Sequence, residues 1–420
     1  MKNKKIIHST FFNVGSNILS QIITISFIPL VSRLYGPEQF GEVTLFLGIC
    51  SCLVAISSFR LAIVIPIAET NKEKQIALVT SLIIILVLTL VLAILFSITD
   101  ILSVVELNGL YPLIIAYFFF ASINNVQVNL VISQGNYRVI GASKMINSIF
   151  LNLARLSIAY ICLSLGLIYS LIIAELFTFV FLLKATRISY KKIGGNNISK
   201  LSDIFNFVSK YRSFPKYQVA SQLVLISSQY APIFVLSTTF TAYEVGLFAM
   251  ANNLVNLPVN SVGMALSQIY YGEYRKTEYW GKMFKHSLLI ILAFLFIATP
   301  VIIVMFLFGS DIVGWLLGND WSGVGDIITL LIFMGAAKLC LAVISQSFNI
   351  FRSQKLQLVI NSLFFIVSYL SLYLATQLST EFFDVLLIYT VSCTIMLFFC
   401  IFLTLRNIKV NTKNECNILR

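Results

Sequence analysis

The sequence predicts an all-α integral membrane protein with 12 transmembrane helices in two parallel six-helix lobes around a central cavity, with both termini cytoplasmic. Three observations lead to this fold class. The chain of 420 residues is 58% hydrophobic and only 11% charged, with a mean hydropathy of +0.92, whereas soluble domains are nearer a quarter charged. Long apolar runs recur from end to end. The basic residues between those runs are distributed as the positive-inside rule requires.

The number of spans follows from the apolar runs, since a helix needs about 20 apolar residues to cross the hydrocarbon. The first run follows a basic start but continues without a cleavage site, so we interpret it as a retained helix and not as a signal peptide. Twelve spans are predicted near 11–34, 42–67, 76–98, 110–132, 144–165, 167–186, 214–238, 244–270, 286–308, 326–350, 356–378 and 384–405.

The loops support this count. With a cytoplasmic N-terminus, the predicted inner segments hold 25 of the 29 Lys and Arg residues, and the outer loops hold none. A missed or extra span would invert this pattern downstream of the error. The net charge of +12 is therefore explained by topology and by attraction to anionic lipid, and no nucleic-acid partner is expected.

An internal repeat divides the chain into two halves. At an offset of 205, "VGSNIL" (14–19) matches "VASQLV" (219–224), and "PEQFGEVTLFL" (37–47) matches "AYEVGLFAMAN" (242–252), which superposes Gly41 on Gly246. Two six-span halves share one orientation, as in transporters built from parallel repeats. We expect an N-terminal lobe at 1–186, a cytoplasmic basic linker at 187–212 and a C-terminal lobe with a cytoplasmic tail at 213–420.

Three basic residues lie well inside predicted spans, away from the span ends: Arg60 in the second, Arg155 in the fifth and Lys338 in the tenth. One acid, Glu175 in the sixth span, is predicted at the depth of Arg155. A salt bridge between these two is one interpretation; the other is a substrate-facing Arg155 that Glu175 orients. A basic side chain facing lipid at mid-depth costs at least ~3 kcal/mol, so Arg60 and Lys338 are expected to face a hydrated, net positive cavity.

Amide side chains at helical spacing form three stripes within the predicted spans. Interhelical hydrogen bonding, worth only ~0.6 kcal/mol per bond, explains any single amide. Three stripes, two of them at repeat-equivalent places, favour a polar seam between the lobes that binds substrate. The stripes are Asn13 and Asn17; Gln218 and Gln222; and Asn252, Asn256 and Asn260.

A cationic, amide-lined cavity suits an anionic substrate rich in hydroxyl groups, because Lys and Arg bind phosphate by charge and by hydrogen bonding. No phosphate-cradling glycine loop is present, so ATP is not expected as the direct drive. No cofactor is expected. The seven cysteines and two histidines show no metal-ligand spacing.

Three stretches carry a resemblance to a known family: "RLYGPEQFGEVTLFLGI" (33–49), "SFRLAIVIPIAE" (58–69) and "VGLFAMANNLVNLPVNSVGMALSQIYYGEYRK" (245–276). They resemble polysaccharide-type flippases of the multidrug/oligosaccharidyl-lipid/polysaccharide (MOP) exporter superfamily, in particular Wzx O-antigen flippases. The resemblance implies translocation of an undecaprenyl-pyrophosphate-linked oligosaccharide from the cytoplasmic to the periplasmic leaflet of the bacterial inner membrane. It implies membrane lipid, and the polysaccharide polymerase and chain-length machinery, as further partners.

Three other functions are weighed against this one. An ion-coupled multidrug antiporter of the MATE type is expected to place acids in its cavity, whereas Glu175 stands against three cations. A membrane-bound glycan polymerase or ligase is expected to carry a large outer loop and a catalytic pair. A purely structural membrane protein does not need uncompensated charges inside its spans. The sequence therefore favours a transporter and not an enzyme.

Overall fold

A computed structural model describes residues 2–68, 70–98, 109–161, 165–193, 201–212, 214–274, 280–351 and 353–418. Over these residues the chain is helical, without a β-strand. The helices are α1 (Lys2–Ser32), α2 (Pro37–Ile56), α3 (Asn71–Ile98), α4 (Tyr111–Ser133), α5 (Tyr137–Ala159), α6 (Gly166–Ile193), α7 (Leu201–Lys210), α8 (Val219–Leu236), α9 (Ala242–Pro258), α10 (Met264–Tyr274), α11 (Trp280–Leu317), α12 (Gly323–Ile344), α13 (Ser347–Ile350), α14 (Gln354–Leu378) and α15 (Phe382–Ile418).

Nine helical segments of the described chain are long and apolar enough to cross a membrane. Each coincides with one of the predicted spans, which confirms that hydropathy located these helices. The nine are Pro37–Ile56, Asn71–Ile98, Tyr111–Ser133, Gly166–Arg187, Phe214–Leu236, Lys282–Leu317, Asn319–Ile350, Lys355–Leu378 and Phe382–Thr412.

The other three predicted spans are helical but do not reach the same length and apolarity. In the first, the apolar helical part is Leu19–Ser32. The fifth corresponds to α5, a continuous helix whose apolar sequence is interrupted by several polar residues. The eighth is broken at Pro258, where α9 gives way to a π-helical turn over Val259–Gly263 before α10. The total of twelve spans and the cytoplasmic termini therefore stay predictions.

The predicted second span, 42–67, is wrong over residues 57–67, because α2 ends at Ile56. Beyond it the chain turns through Phe59 and Arg60, which have φ angles of 46° and 60°, and then forms a short 3-10 helix over Leu61–Val64. A non-glycine residue with a left-handed backbone costs on the order of 1–3 kcal/mol. Arg60 thus lies in a strained turn, and not on a continuous helix.

Contacts group the chain into two compact units, which we call the N-terminal unit (1–35 and 42–227) and the C-terminal unit (36–41 and 228–420). The division falls at residue 227, 15 residues after the end of the predicted linker. Within the N-terminal unit, α5 packs on α1 and α6, and α4 packs on α3 and α6. Within the C-terminal unit, α12 packs on α9, α11 and α15, so α12 is its central helix.

The C-terminal unit contains a close approach between the first turns of α2 and α9. A Cβ added to Gly41 would lie 2.3 Å from the Ala242 carbonyl oxygen, and a Cβ added to Gly246 would lie 1.8 Å from that of Pro37. Pro37 and Ala242 are themselves 205 positions apart, so the contact is reciprocal. A reciprocal contact is what a local two-fold relationship produces. The repeat offset read from the sequence therefore joins equivalent residues at this point.

Candidate functional site

Arg60 is held in the N-terminal unit by an amide of the predicted substrate-binding set. Its guanidinium donates a hydrogen bond from Nη2 to Oε1 of Gln222, at 3.1 Å. Its Nε is buried and has no hydrogen-bond partner among the described residues. The left-handed backbone at Arg60 starts the 3-10 helix and brings this side chain to α8. The sequence predicted both residues as site residues, and the structure brings them together.

The contact with Gln222 locates Arg60 beside the N-terminal part of α8. Gln222 is the fourth residue of α8, so Arg60 is level with the first turn of that helix. The predicted seventh span begins at 214, so Gln222 lies about 12 Å inside its cytoplasmic end. The break in the helix at Arg60 was not predicted, because a turn within an apolar run does not change the hydropathy from which the span was read.

Arg155 lies nearer the end of its helix than the predicted span 144–165 implies. Helix α5 runs from Tyr137 to Ala159, so Arg155 lies four residues, or about 6 Å at 1.5 Å per residue, from its C-terminal end. In the predicted topology this end faces outward. The backbone carbonyl of Arg155 accepts a hydrogen bond from the Tyr35 hydroxyl at 2.8 Å. Its Nε is buried without a hydrogen-bond partner in the described chain.

Glu175 pairs with amides and not with Arg155. Its Oε2 accepts from Nδ2 of Asn124 at 2.6 Å, and its Oε1 accepts from Nδ2 of Asn147 at 3.1 Å. Asn147 also donates to the Thr178 hydroxyl at 3.1 Å. Asn124 is 6% exposed, so the carboxylate is held in a polar cluster formed by α4, α5 and α6.

The expected contact between Arg155 and Glu175 is not formed, for a geometric reason. Asn147 and Arg155 are both on α5, eight residues apart, which is about 12 Å along the helix. Because Asn147 contacts Glu175, Arg155 lies about two turns further along α5 than the residue that reaches the carboxylate. The interpretation in which Glu175 orients Arg155 is therefore wrong.

Lys338 lies on α12, six residues before its end. It is half-buried, close enough to Cys393 of α15 for an electrostatic interaction. Among the described residues, no carboxylate forms an ion pair with it. Lys338 is the central residue of the predicted span 326–350, so the predicted topology places it at mid-depth.

The predicted amide stripes have different surroundings. Asn13 and Asn17 lie in α1, and their side chains are outside the described part of the structure. Gln218 is exposed at the end of the π-helical turn that precedes α8. Thus Gln222 is the amide of this group for which the structure shows a cationic partner.

In the C-terminal unit, Asn256 donates from Nδ2 to the backbone carbonyl of Asn252 at 2.7 Å and to its Oδ1 at 2.8 Å. The donation thus runs in one direction along α9, from Asn256 to Asn252, and both side chains are half-buried. Asn260 lies in the π-helical turn after α9 and is exposed. The third stripe is therefore interrupted at Pro258, where the regular helix ends.

Sequence reasoning missed Asn124, Asn147 and Tyr35. Asn124 and Asn147 are the carboxylate's partners, and Tyr35 closes the end of α5. The stretch "SINNVQVNL" (122–130) was an available signal, since it concentrates amides within an apolar helix. Within it, Gln127 is fully buried with both amide atoms unpartnered among the described residues.

Comparison with known proteins places the chain in a family. A family profile described as "Polysaccharide biosynthesis protein" matches residues 30–326. The chain belongs to this family. The match includes Arg60, Arg155 and Glu175 and ends before Lys338. No curated protein sequence gives a match to this polysaccharide biosynthesis protein.

Solved structures show the fold of this polysaccharide biosynthesis protein. The lipid II flippase MurJ, in an inward closed conformation, matches with a TM-score of 0.72 at 10% identity, covering 98% of this chain and 91% of that one. An inward-facing multidrug resistance MATE family transporter of the MOP superfamily matches with a TM-score of 0.67 at 15% identity, covering 96% of both chains. These identities establish a shared fold. The family match confirms the resemblance to polysaccharide-type proteins, and the protein shares its fold with these two structures. With nine long apolar helices in its described part, it is a multi-pass membrane protein.

Proposed function

We propose that the protein is a flippase that moves undecaprenyl-pyrophosphate-linked O-antigen, or a related surface polysaccharide repeat unit, from the cytoplasmic to the periplasmic leaflet by alternating access. It would act in the bacterial inner membrane, as a transporter and not an enzyme. The product would pass to a polysaccharide polymerase and its chain-length machinery. The protein would thereby take part in lipopolysaccharide biosynthesis.

The observation that supports this proposal is that the three cations lack a carboxylate partner within the described part of the chain. Arg60, Arg155 and Lys338 have no carboxylate partner among the described residues, and the Nε atoms of both arginines are buried without a hydrogen bond. Charged groups inside membrane segments mark substrate or ion pathways. Because Glu175 is held by two amides, it does not neutralise any of the three. A substrate bearing a diphosphate supplies the missing negative charge.

The positions of the cations suit a directional pathway. In the predicted topology, Arg60 lies in the cytoplasmic half of the membrane, Lys338 at mid-depth and Arg155 near the outer end of α5. A headgroup entering from the cytoplasm would meet Arg60 first, then Lys338, and Arg155 last. The amides Gln222, beside Arg60, and Asn252 would offer donors and acceptors to sugar hydroxyl groups.

A complementation assay tests the function. The gene is deleted in its native strain, and the surface glycan ladder is scored after expression of wild type, Arg60→Gln or Lys338→Gln, with membrane levels measured. We expect deletion to abolish the ladder and both variants to fail to restore it. Lys282→Gln, at an exposed residue of a predicted inner segment, is the control for loss of charge and should restore it fully. An intact ladder after deletion would refute the proposal.

A further inference from the structure

The linker between the predicted lobes contains an ordered helix attached to the N-terminal unit. Helix α7 buries Phe207, which is 4% exposed, in a cluster with Leu78 and Leu130. Two ion pairs fix the same helix to the start of α3. Lys72 lies 3.3 Å from Asp203, and Lys210 lies 2.6 Å from Glu73.

In these contacts the carboxylates of Asp203 and Glu73 are each paired with a lysine. Glu73 accepts hydrogen bonds from Lys210 and, at 2.8 Å, from the Tyr211 hydroxyl, and the bond to Glu73 raises the pKa of Lys210. Asp203 is paired with Lys72. The basic residues that follow α7, Arg212 and Lys216, are exposed and have no carboxylate partner in the described structure.

Arg212 and Lys216 line one cavity of about 780 Å³, together with Val208, Pro215 and Tyr217. This volume is within the range of small-molecule sites. The Lys216 ammonium lies 5.2 Å from the centre of the Tyr217 ring, and Tyr217 is 63% exposed. The lining thus combines two cations for phosphate oxygens, an aromatic ring for a sugar face, and the apolar Val208 and Pro215.

The cavity is also close to the Arg60 site along the chain. Gln222, which accepts the hydrogen bond from Arg60, follows Lys216 by six residues. At the rise of a helix this separation is about 9 Å. A headgroup held by Lys216 is therefore within about two turns of the first cation of the proposed pathway.

We propose that this cavity is a capture site for the diphosphate headgroup of the lipid-linked glycan at the cytoplasmic membrane surface, before translocation. Arg212 and Lys216 bind the diphosphate, Tyr217 stacks on the first sugar, and the headgroup is then passed to Arg60. The inference rests on the proposed flippase function. It commits to a polyprenyl diphosphate and not to the anionic phospholipids of the bilayer, because a diphosphate brings more than one negative charge to two adjacent cations.

The test is a binding measurement on the full-length protein in phosphatidylcholine nanodiscs, with farnesyl diphosphate as a short polyprenyl diphosphate probe. We expect the double variant Arg212→Gln/Lys216→Gln to raise the dissociation constant about tenfold or more, since each 1.4 kcal/mol lost is a factor of ten. The double variant Lys282→Gln/Lys285→Gln removes the same charge from exposed residues elsewhere and should leave it within about twofold. Equal weakening in both variants, or none in the first, overturns the proposal.

Two further arms separate the alternatives. The double variant Arg212→Lys/Lys216→Arg keeps both charges and should retain most of the binding. If it loses as much binding as the glutamine variant, the loss reflects disrupted folding and the proposal is overturned. In nanodiscs with phosphatidylglycerol, the probe should still bind; full competition would identify a general anionic-lipid surface. The binding result is separate from the glycan ladder. A ladder lost on deletion but restored by Arg212→Gln/Lys216→Gln with unchanged binding refutes the capture site alone.

Discussion

Replacing Gly246 with alanine tests the reciprocal contact between α2 and α9. The new Cβ would lie 1.8 Å from the carbonyl oxygen of Pro37 and 2.5 Å from its carbonyl carbon. Ordinary contact for a Cβ begins near 3.4 Å, so the two helix starts must separate by about 1.6 Å. Both contacting atoms belong to the backbone and cannot rotate away. Overpacking of this kind costs about 1–3 kcal/mol, against which alanine regains about 1 kcal/mol of helix propensity.

The assay is thermal unfolding of the purified protein in detergent, with Gly15→Ala as the matched control. Gly15 is also helical, and a Cβ there meets nothing within 4 Å, so the control reports the gain in helix propensity alone. We expect Gly246→Ala to unfold about 1–3 °C below Gly15→Ala, since in a chain of 420 residues each kcal/mol shifts the midpoint by about 1 °C. Gly41→Ala, whose Cβ meets the Ala242 carbonyl oxygen at 2.3 Å, should behave like Gly246→Ala. Equal midpoints for Gly246→Ala and Gly15→Ala would refute the close approach.

Two further predictions concern the N-terminal unit. In Glu175→Gln, one of the two carboxylate acceptors becomes an amide donor facing Asn124 or Asn147, and we expect a loss of about 1–3 kcal/mol of stability; a thermal midpoint equal to wild type would contradict the cluster. In Tyr35→Phe, the carbonyl of Arg155 loses its hydrogen bond, so we expect about 1 kcal/mol less stability and faster hydrogen exchange at the end of α5. Unchanged exchange there would show that Tyr35 does not hold this end.

The features that depend on composition and period were predictable from the sequence. Hydropathy located the nine described spans because a bilayer selects for length and apolarity. The offset of 205 aligned Gly41 with Gly246, and the structure places these two glycines in contact. The pairing of Arg60 with Gln222 joins two residues that the sequence had already selected as polar groups within apolar surroundings.

The features that depend on local turns and helix rotation were not predictable. The turn at Phe59 and Arg60 lies in an apolar run, so hydropathy extended α2 through it. Helix α5 begins at Tyr137, seven residues before the predicted span. Hydropathy does not locate this start, because basic residues lie in the first turns of the helix. The side chains that face Glu175 are set by the rotation of α4 and α5 about their axes. The pattern of apolar residues in these helices does not specify that rotation.

The most direct test of the account is a translocation measurement with the protein reconstituted into liposomes. An undecaprenyl-pyrophosphate-linked oligosaccharide is placed in one leaflet, and its appearance in the other is followed by access to an external glycosidase. The account predicts transfer by wild type and by Lys282→Gln, and little or none by Arg60→Gln or Lys338→Gln at equal incorporation. Transfer by both cation variants at the rate of wild type would contradict it.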